Sequence, residues 1–367
     1  MHYKVFVGRF QPAHAGHYAV MQAALHDGDP TDRLIIVLGT RNGVRTLKNP
    51  FRTDERIRII KSMFPGVLYG ALHGDLERIR FTQVFDTLYN NNQWVAEVQR
   101  AVYKTIMQDG EKPADVKISL IGHSKDKSSF YLKLFPEWNS IEVPNHLDIS
   151  ATSFRTLLFE EHGCPNDTRF DKYFVNANHL AVVRDLTGPA SDPFWNLVHE
   201  YDFIQSYKSE WGDGQWNTVD SVVTLGGHIL LVQRKKPPGA GAWALPGGFL
   251  NRDERIVDAA VRELHEETGL KVPEPVLYGS IDQHDVYDIP DRDPRGRVIT
   301  HAYHFNMVNY GSFDKGTIRL PKVVGMDDAA KAQWFTLREF EDMKDQMFND
   351  HYDIAKDLIG RASRKWN

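Results

Sequence analysis

A single cysteine, Cys164, stands among 367 residues. One thiol can neither close an intramolecular disulfide nor build a thiolate metal cage, so a disulfide-stapled scaffold and a cysteine-rich metal domain are both excluded. Its setting, Gly163-Cys164-Pro165, reads as a turn with no histidine pattern beside it, so a buried, inert cysteine is expected. Long apolar runs are lacking as well. No stretch approaches the roughly 20 residues of a membrane span, and the start, Met1-His2-Tyr3-Lys4-Val5, carries no signal-peptide core. A reduced, soluble, cytoplasmic chain with no membrane partner is the expectation. Charge of one sign is also scarce: 44 basic and 49 acidic residues leave a formal charge of −5, with no strongly basic block. A sequence-independent nucleic-acid binder needs a basic stripe, so nucleic acid is not an expected partner. What is present, 41% hydrophobic and 25% charged residues, is the balance of a globular protein rather than a disordered or collagenous one. At about 150 residues per domain, the length calls for two domains and leaves room for a small third element.

The amino-terminal part alternates apolar runs with helical periods. Val5-Phe6-Val7, Leu34–Leu38 and Val116–Ile121 read as buried strands, and His17–Leu25 and Ile57–Phe64 as helices. Apolar strands separated by helices indicate a parallel sheet covered on both faces. From Tyr173 the texture changes: the breaker cluster Thr187–Pro193 precedes a helical stretch at Phe194–Tyr207, and Gly212-Asp213-Gly214 is a second break. This stretch is too aromatic for a solvated linker. After Trp216 the pattern is mixed, with a hairpin across Gly226-Gly227, a helix over Asp253–Thr268, strands near Ala302–Val308 and Ala332–Phe335, and a polar, exposed helix over Tyr352–Lys365. The expected division is residues 1–172, a helical connector at 173–215, and residues 216–367.

The segment Gly8-Arg9-Phe10-Gln11-Pro12-Ala13-His14-Ala15-Gly16-His17 leaves a buried strand and opens a helix. Parallel sheets bind ligands at the carboxyl ends of their strands, which is where this loop falls. Gly8 and Gly16 would let the backbone approach a phosphate, and the helix start offers unpaired amides. His14 and His17, three apart, can point to one side. Two imidazoles beside such amides make a cradle for phosphate oxygens. A lone histidine pair would more simply be surface residues at a helix start, with Ser150 and Thr152 as caps.

These residues nevertheless carry a resemblance. The run from Gly8 to His17 resembles the signature of the HxGH nucleotidyltransferases, and Ile149-Ser150-Ala151-Thr152-Ser153-Phe154-Arg155 resembles their second hallmark. Gly-Arg-Phe-Gln-Pro, with Asn49-Pro50-Phe51 and Glu55-Arg56, looks like the archaeal type of nicotinamide mononucleotide adenylyltransferase; cytidylyl- and pantetheine-phosphate transferases are the runners-up. Arg52 departs from the small residues usual there, which leaves its role open. The resemblance implies a Rossmann-like α/β domain that uses ATP and nicotinamide mononucleotide. His14 and His17 would contact the ATP phosphates and His17 would stabilise the transferring group. Gly8, Arg9, Phe10 and Gly16 would line the nucleotide site. Ser150, Thr152 and Arg155 would hold the outer phosphates, and Arg56 the mononucleotide phosphate. The attacking phosphate is already ionised, so the reaction needs positioning and charge neutralisation rather than a base. Gly122-His123-Ser124-Lys125-Asp126 is either a pocket lining or a plain polar loop.

A second constellation lies at Gly248, Glu254, Arg262, Glu263, Leu264, Glu266, Glu267, Gly269 and Leu270. At about 100° per residue, Glu263, Glu266 and Glu267 share one arc of a helix. Ile256, Ala260 and Leu264 form a neighbouring inward stripe, and Gly269 suits a left-handed helix end. An acidic helix face alone means nothing, but three crowded carboxylates repel and read as a hard-cation site. The whole pattern resembles the Nudix box, over roughly residues 217 to 340, and implies an α+β Nudix domain. In it Glu263, Glu266 and Glu267 would bind Mg²⁺ or Mn²⁺, Glu266 would serve catalysis, and Gly248, Glu254, Arg262 and Gly269 would support the loop.

Asp291-Arg292-Asp293-Pro294-Arg295-Gly296-Arg297 resembles a segment of ADP-ribose hydrolases, which makes Arg295 and Arg297 candidate diphosphate ligands. An exposed charged hairpin is the equal alternative. Asp327 and Asp328 are candidates for a separate base. His301 and His304, three apart in a strand, face opposite sides and should not share a metal. Together the halves resemble the bifunctional enzymes that pair NAD⁺ synthesis with Nudix cleavage of ADP-ribose. Homo-oligomerisation is compatible with this reading. The rivals are an ADP-ribose sensor, which the retained glutamates disfavour, and other substrates: nicotinate mononucleotide in the first half, another nucleoside diphosphate compound in the second.

Overall fold

The computed structural model describes residues 1–364 except 27, 41–42, 65–73, 87–90, 123–133, 145–148, 213, 309, 311 and 315–316. Two compact units, Met1–His199 and Glu200–Asn367, make up the chain. In the first, strands β1 (His2–Gly8), β2 (Arg33–Leu38), β3 (Ile79–Gln83), β4 (Lys117–Gly122) and β5 (Asn139–Glu142) form a sheet in the order β3-β2-β1-β4-β5. Every pairing in it is parallel. The strand order therefore reverses at β1, and the loop after β1 opens at the switch point where such sheets bind ligands.

Helices α1 (Ala15–His26), α2 (Thr53–Ser62), α3 (Asn91–Gln108), α4 (Ala151–Glu160) and α5 (Ala177–Thr187) accompany this sheet, and α6 (Asp192–Trp211) begins in this unit and ends in the next. Alternation along the strands sorts the two faces. Tyr3, Val5, Val7, Ile35 and Val37 join Val98, Val102 and Ile106 of α3 in one core. Val20, Met21, Ala24 and Leu25 are the buried apolar side chains of α1, which packs on β2 and β4. Burying each such aliphatic side chain contributes about 1.5–3 kcal/mol. Strands β1, β2 and β4 and helices α1 and α2 fall where the apolar runs put them, whereas β3, β5, α3, α4 and α5 were not read from the sequence. Helix α2 starts a turn earlier than Ile57, because the Glu55 carboxylate accepts the Arg52 amide at 2.8 Å and caps it.

In the second unit β6 (Gln215–Leu225) and β7 (His228–Arg234) form the expected hairpin across Gly226-Gly227. Short strands β8 (Trp243–Ala244) and β9 (Gly247–Phe249) lead to α7 (Ile256–Thr268) and α8 (Glu274–Gly279). Strands β10 (Ile281–Tyr287) and β11 (Arg297–Asn306), a small β12 (Ser312–Asp314) and β13 (Thr317–Arg319) pair, β14 (Ala329–Thr336), α9 (Leu337–Glu341) and α10 (His351–Arg364) complete it. The main sheet runs β10-β11-β6-β7-β14, with β8 on β7 and β9 on β6. Strand β11 lies parallel to β6, and the sheet is otherwise antiparallel. Val219, Val223, Leu230 and Phe305 pack against Ala260 and Leu264 of α7, the inward stripe expected of that helix.

The carboxyl-terminal helix corrects the sequence reading. Ile354, Ala355 and Leu358 of α10 are fully buried, and the Tyr287 hydroxyl donates to Asp357 at 2.8 Å. Helix α10 is therefore an amphipathic part of the core rather than a polar, exposed one. Cys164, expected buried, is half-buried. Among the described residues, no helix is long and apolar enough to cross a membrane.

Candidate functional site

The loop between β1 and α1 brings the two histidines together, with ring centroids 3.9 Å apart. The Gly16 amide donates to His14 Nδ1 at 3.1 Å, and the His14 amide to His17 Nδ1 at 3.2 Å. Each neutral ring is thereby assigned a proton on Nε2, as a phosphate cradle requires. Phe10 is buried beneath His17, with centroids 5.0 Å apart, and packs edge-on against Phe6. The glycines work differently from the sequence reading. A Cβ on Gly16 would lie 3.0 Å from the His14 ring, and one on Gly8 would lie 3.0 Å from the Phe10 ring. Their open space is filled by this chain's own rings, so they shape the loop.

The second motif sits against this loop. Ser150 caps α4, its Oγ accepting the Ser153 amide at 3.1 Å. Ile149 lies beside Gly16. Arg155 donates to the Gln11 carbonyl at 2.7 Å and to Thr152 Oγ1 at 3.2 Å. Among the described residues, no carboxylate forms an ion pair with Arg155. Burial, and then the charge of exposed Arg9, push its pKa down to about 10. It stays a cation at neutral pH, and an anion nearby would relieve it.

Arg56 is placed otherwise than expected. Its side chain is fully buried and donates to the Arg9 and Gly39 carbonyls at 2.7 Å, and to Thr40 O and Thr53 Oγ1 at 3.1 Å. Burial lowers its pKa to about 10. A guanidinium so committed to carbonyls braces the loops after β1 and β2 instead of reaching a phosphate. Gln11 does related work: its amide exchanges hydrogen bonds of 2.8 and 2.9 Å with the Phe51 backbone, locking the Asn49-Pro50-Phe51 stretch onto the loop. Arg52 is exposed at the start of α2. The 123–126 loop lies outside the described residues.

In the second unit, pairing of Asp220 with Gly247 and Val219 with Gly248 lays β9 across the flank of α7. Arg262 grips Glu254 at 2.7 and 2.9 Å, and also Glu263 and Glu266 at 2.8 Å. Those contacts, Glu254 first, hold Arg262 above the ordinary guanidinium range. Gly269 ends the helix at φ 57°, left-handed as expected. Glu267 is buried and accepts the Gly247 amide at 2.9 Å. Burial foremost, then the charge of Glu263, pushes its pKa up to about 8, and burial also raises Glu263. The Glu263 carboxylate lies where a Cβ on Gly248 would be, 2.6 Å from it. Among the described residues no three such side chains already converge on one point; Arg262 and the Gly247 amide hold these carboxylates. The donor set still fits a hard cation, being all oxygen and electrostatically strained in its absence.

A cleft of about 260 Å³ opens beside Glu267, Gly247 and Gly248. Arg295 lines it, held by Asp293 at 2.7 and 2.9 Å and lying 5.0 Å over the Phe249 ring. Arg297 does not line it; this exposed side chain turns to the Asp288 carbonyl and carboxylate. Sequence reasoning missed Arg234 at the end of β7, which lines the cleft and stacks 4.1 Å over Phe348. Burial, then the charge of Arg295, lowers its pKa. The basic switch at the end of an apolar strand was the available signal. Arg292, from the same segment as Arg295, also lines the cleft and is held on Asp350 at 2.9 Å, with Asp220 3.8 Å away. Of the two base candidates, Asp328 pairs with Lys236 at 2.7 Å, whereas the charge of Asp327 bears on Glu263. His301 stacks on His284 while buried His304 bonds Thr224 and sits 2.8 Å from Asp282, so the two do face apart.

Comparison with known proteins matches a cytidylyltransferase-like model to residues 5–156 and a NUDIX domain model to residues 215–358. A nicotinamide/nicotinic acid mononucleotide adenylyltransferase of Acinetobacter baylyi is 38% identical over 159 residues, 43% of this chain and 76% of that one. An ADP-ribose pyrophosphatase of Methanocaldococcus jannaschii is 37% identical over 141 residues, 38% of this chain and 71% of that one. The crystal structure of a bifunctional NMN adenylyltransferase/ADP ribose pyrophosphatase from Francisella tularensis, complexed with AMP and a manganese ion, covers 98% of each chain at 31% identity, with a TM-score of 0.82.

Proposed function

Since this chain belongs to the family of bifunctional NMN adenylyltransferase/ADP-ribose pyrophosphatases, we propose that each half carries out one of the two reactions. The first transfers the adenylyl group of ATP to nicotinamide mononucleotide, giving NAD⁺ and pyrophosphate. The second adds water to ADP-ribose, giving AMP and ribose 5-phosphate. We assign synthesis to residues 1–172 and hydrolysis to 216–367, with 173–215 as the helical connector.

One contrast carries the reading. The first site gathers two Nε2–H imidazoles and an arginine that, among the described residues, pairs with no carboxylate, whereas the second gathers three carboxylates beside a cleft lined by Arg234, Arg292 and Arg295. For the first site, the mononucleotide phosphate attacks the α-phosphorus and pyrophosphate leaves. No base is needed, because the attacking oxygen is already ionised. His14 and His17 donate to the phosphates, His17 to the charge that develops on the transferring group. Ser150, Thr152, Arg155 and the α4 amides take the outer phosphates, which ATP brings with Mg²⁺. Gly8, Arg9, Phe10 and Gly16 form the loop that shapes this cradle, and Arg56 holds it from behind.

In the second site Glu263, Glu266 and Glu267 would hold a divalent cation, for which we favour Mg²⁺ with Mn²⁺ as the alternative. When bound, it supplies charge neutralisation for the diphosphate and a more acidic water. Arg295 and Arg234, which line the same cleft, bind the diphosphate. Glu254, through Arg262, fixes the helix against Gly248, and Gly269 ends it. The reading places Arg297 outside the cleft, as a loop support.

Product analysis on the full chain tests the assignment. Wild-type protein should form NAD⁺ from mononucleotide and ATP, and AMP from ADP-ribose. Glu266→Gln should lose hydrolysis on the order of 100-fold and keep synthesis; His17→Ala should do the reverse. If both activities fall together in a folded variant, the two-site assignment is wrong.

A further inference from the structure

The two matched family segments leave residues 157–214 unassigned, and α6 lies inside that gap. We propose that the last turns of α6 form a wall of the hydrolase cleft, and that Phe203 is the platform on which the adenine ring of ADP-ribose stacks. This deepens the hydrolase reading and rests on it.

Glu200, Phe203 and Tyr207 are spaced i, i+3, i+7 and so share one face of the helix. Each meets the strands and loops of the second unit. The Glu200 carboxylate accepts the Gly239 amide at 2.9 Å, tying α6 to the loop that follows Arg234. Phe203 lines the cleft itself. Tyr207 packs edge-on against Trp216 at 5.9 Å. The face that the sequence marks as connector is therefore built into the binding cleft.

Elimination among the aromatic rings singles out Phe203. Among the described residues, three phenylalanines line the cleft. Phe348 carries the Arg234 guanidinium at 4.1 Å, and Phe249 carries Arg295 at 5.0 Å. Phe203 has a tilted ring neighbour, Tyr207, at 6.3 Å and is 41% exposed. The two arginines suit the diphosphate, which leaves the uncharged, flat end of the substrate to the ring without a cation. A purine needs a π-face rather than a charge, and an exposed phenylalanine beside an anion-binding pair offers one. The opposing idea is that Phe203 merely continues the helix ridge Phe203, Tyr207, Trp211.

AMP carries the base and ribose 5-phosphate does not, so calorimetric binding of each product to the full chain with Mg²⁺ separates the two ideas. Phe203→Leu keeps an apolar side chain of similar bulk and removes the ring. It should weaken AMP about 5- to 100-fold, the range of one lost base–aromatic stack. Ribose 5-phosphate affinity and NAD⁺ synthesis should hold, the KM for ADP-ribose should rise with kcat little changed, and Phe203→Trp should restore AMP binding. Wild-type AMP affinity in Phe203→Leu, or equal weakening of both products, overturns the proposal. A wild-type chain that makes no AMP from ADP-ribose sinks the hydrolase reading itself, and the proposal falls with it.

Discussion

Arg234 and Arg262 are both guanidiniums of the second unit, yet their surroundings give them opposite tasks. Arg262 is saturated by Glu254, Glu263 and Glu266, so its charge is spent inside the protein and its role is to hold the acidic helix. Arg234 donates its Nε to the Pro238 carbonyl and lies in a cleft with Arg295, a like charge. Arg295 is already paired with Asp293, so the buried charge of Arg234 is the one that an incoming anion would relieve. Arg234→Ala should therefore raise the KM for ADP-ribose about tenfold or more, in proportion to a lost charge-assisted contact, with NAD⁺ synthesis unaffected; steady-state kinetics on both reactions would check it. Arg262→Ala would be a poorer probe, because it frees three carboxylates at once.

At the scale of elements, β9 and α7 meet at close quarters in the second unit. The Gly248 position faces the Glu263 carboxylate so closely that a methyl group would have to displace it. Gly248→Ala should cut hydrolysis at least about tenfold, the cost of misplacing a catalytic group, while circular dichroism stays native and NAD⁺ synthesis persists. What was legible in the sequence follows the same logic. Strands β1, β2, β4, β6 and β7 and helix α7 were readable because their apolar periods are uninterrupted and turn residues bound them. Helix α10 was misread because its polar residues outnumber the buried Ile354, Ala355 and Leu358, and a four-residue rhythm is easily lost among charges. Helix α3 was missed although Val98, Val102 and Ile106 repeat at that same interval. Motif residues were found because spacing encodes them. The bracing role of Arg56 and the place of Phe203 in the cleft depended on partners brought in from elsewhere in the chain, which no local pattern records.

Across the molecule, each unit carries buried titratable groups that tie its stability to pH. His179 in the first unit is fully buried, its Nδ1 accepting the Val175 amide at 3.3 Å. Burial pushes its pKa down to about 4 from an ordinary 6.5. As pH falls below 6.5 the unfolded chain takes up a proton that the folded one refuses, so stability is complete above that value and is lost progressively down to pH 4. The loss from this residue reaches about 3 kcal/mol at most. The urea midpoint for loss of NAD⁺ synthesis should fall over that interval in the wild type, and less steeply in His179→Gln.

The hydrogen bond from Arg155 to the Gln11 carbonyl spans 144 positions of the chain. During translation the histidine loop emerges early and the arginine emerges more than a hundred residues later, so the phosphate cradle can close only after nearly the whole first unit has left the ribosome. Contacts this distant in sequence slow folding. A truncated product ending before residue 150 would display the histidine signature without the arginine that completes the cradle.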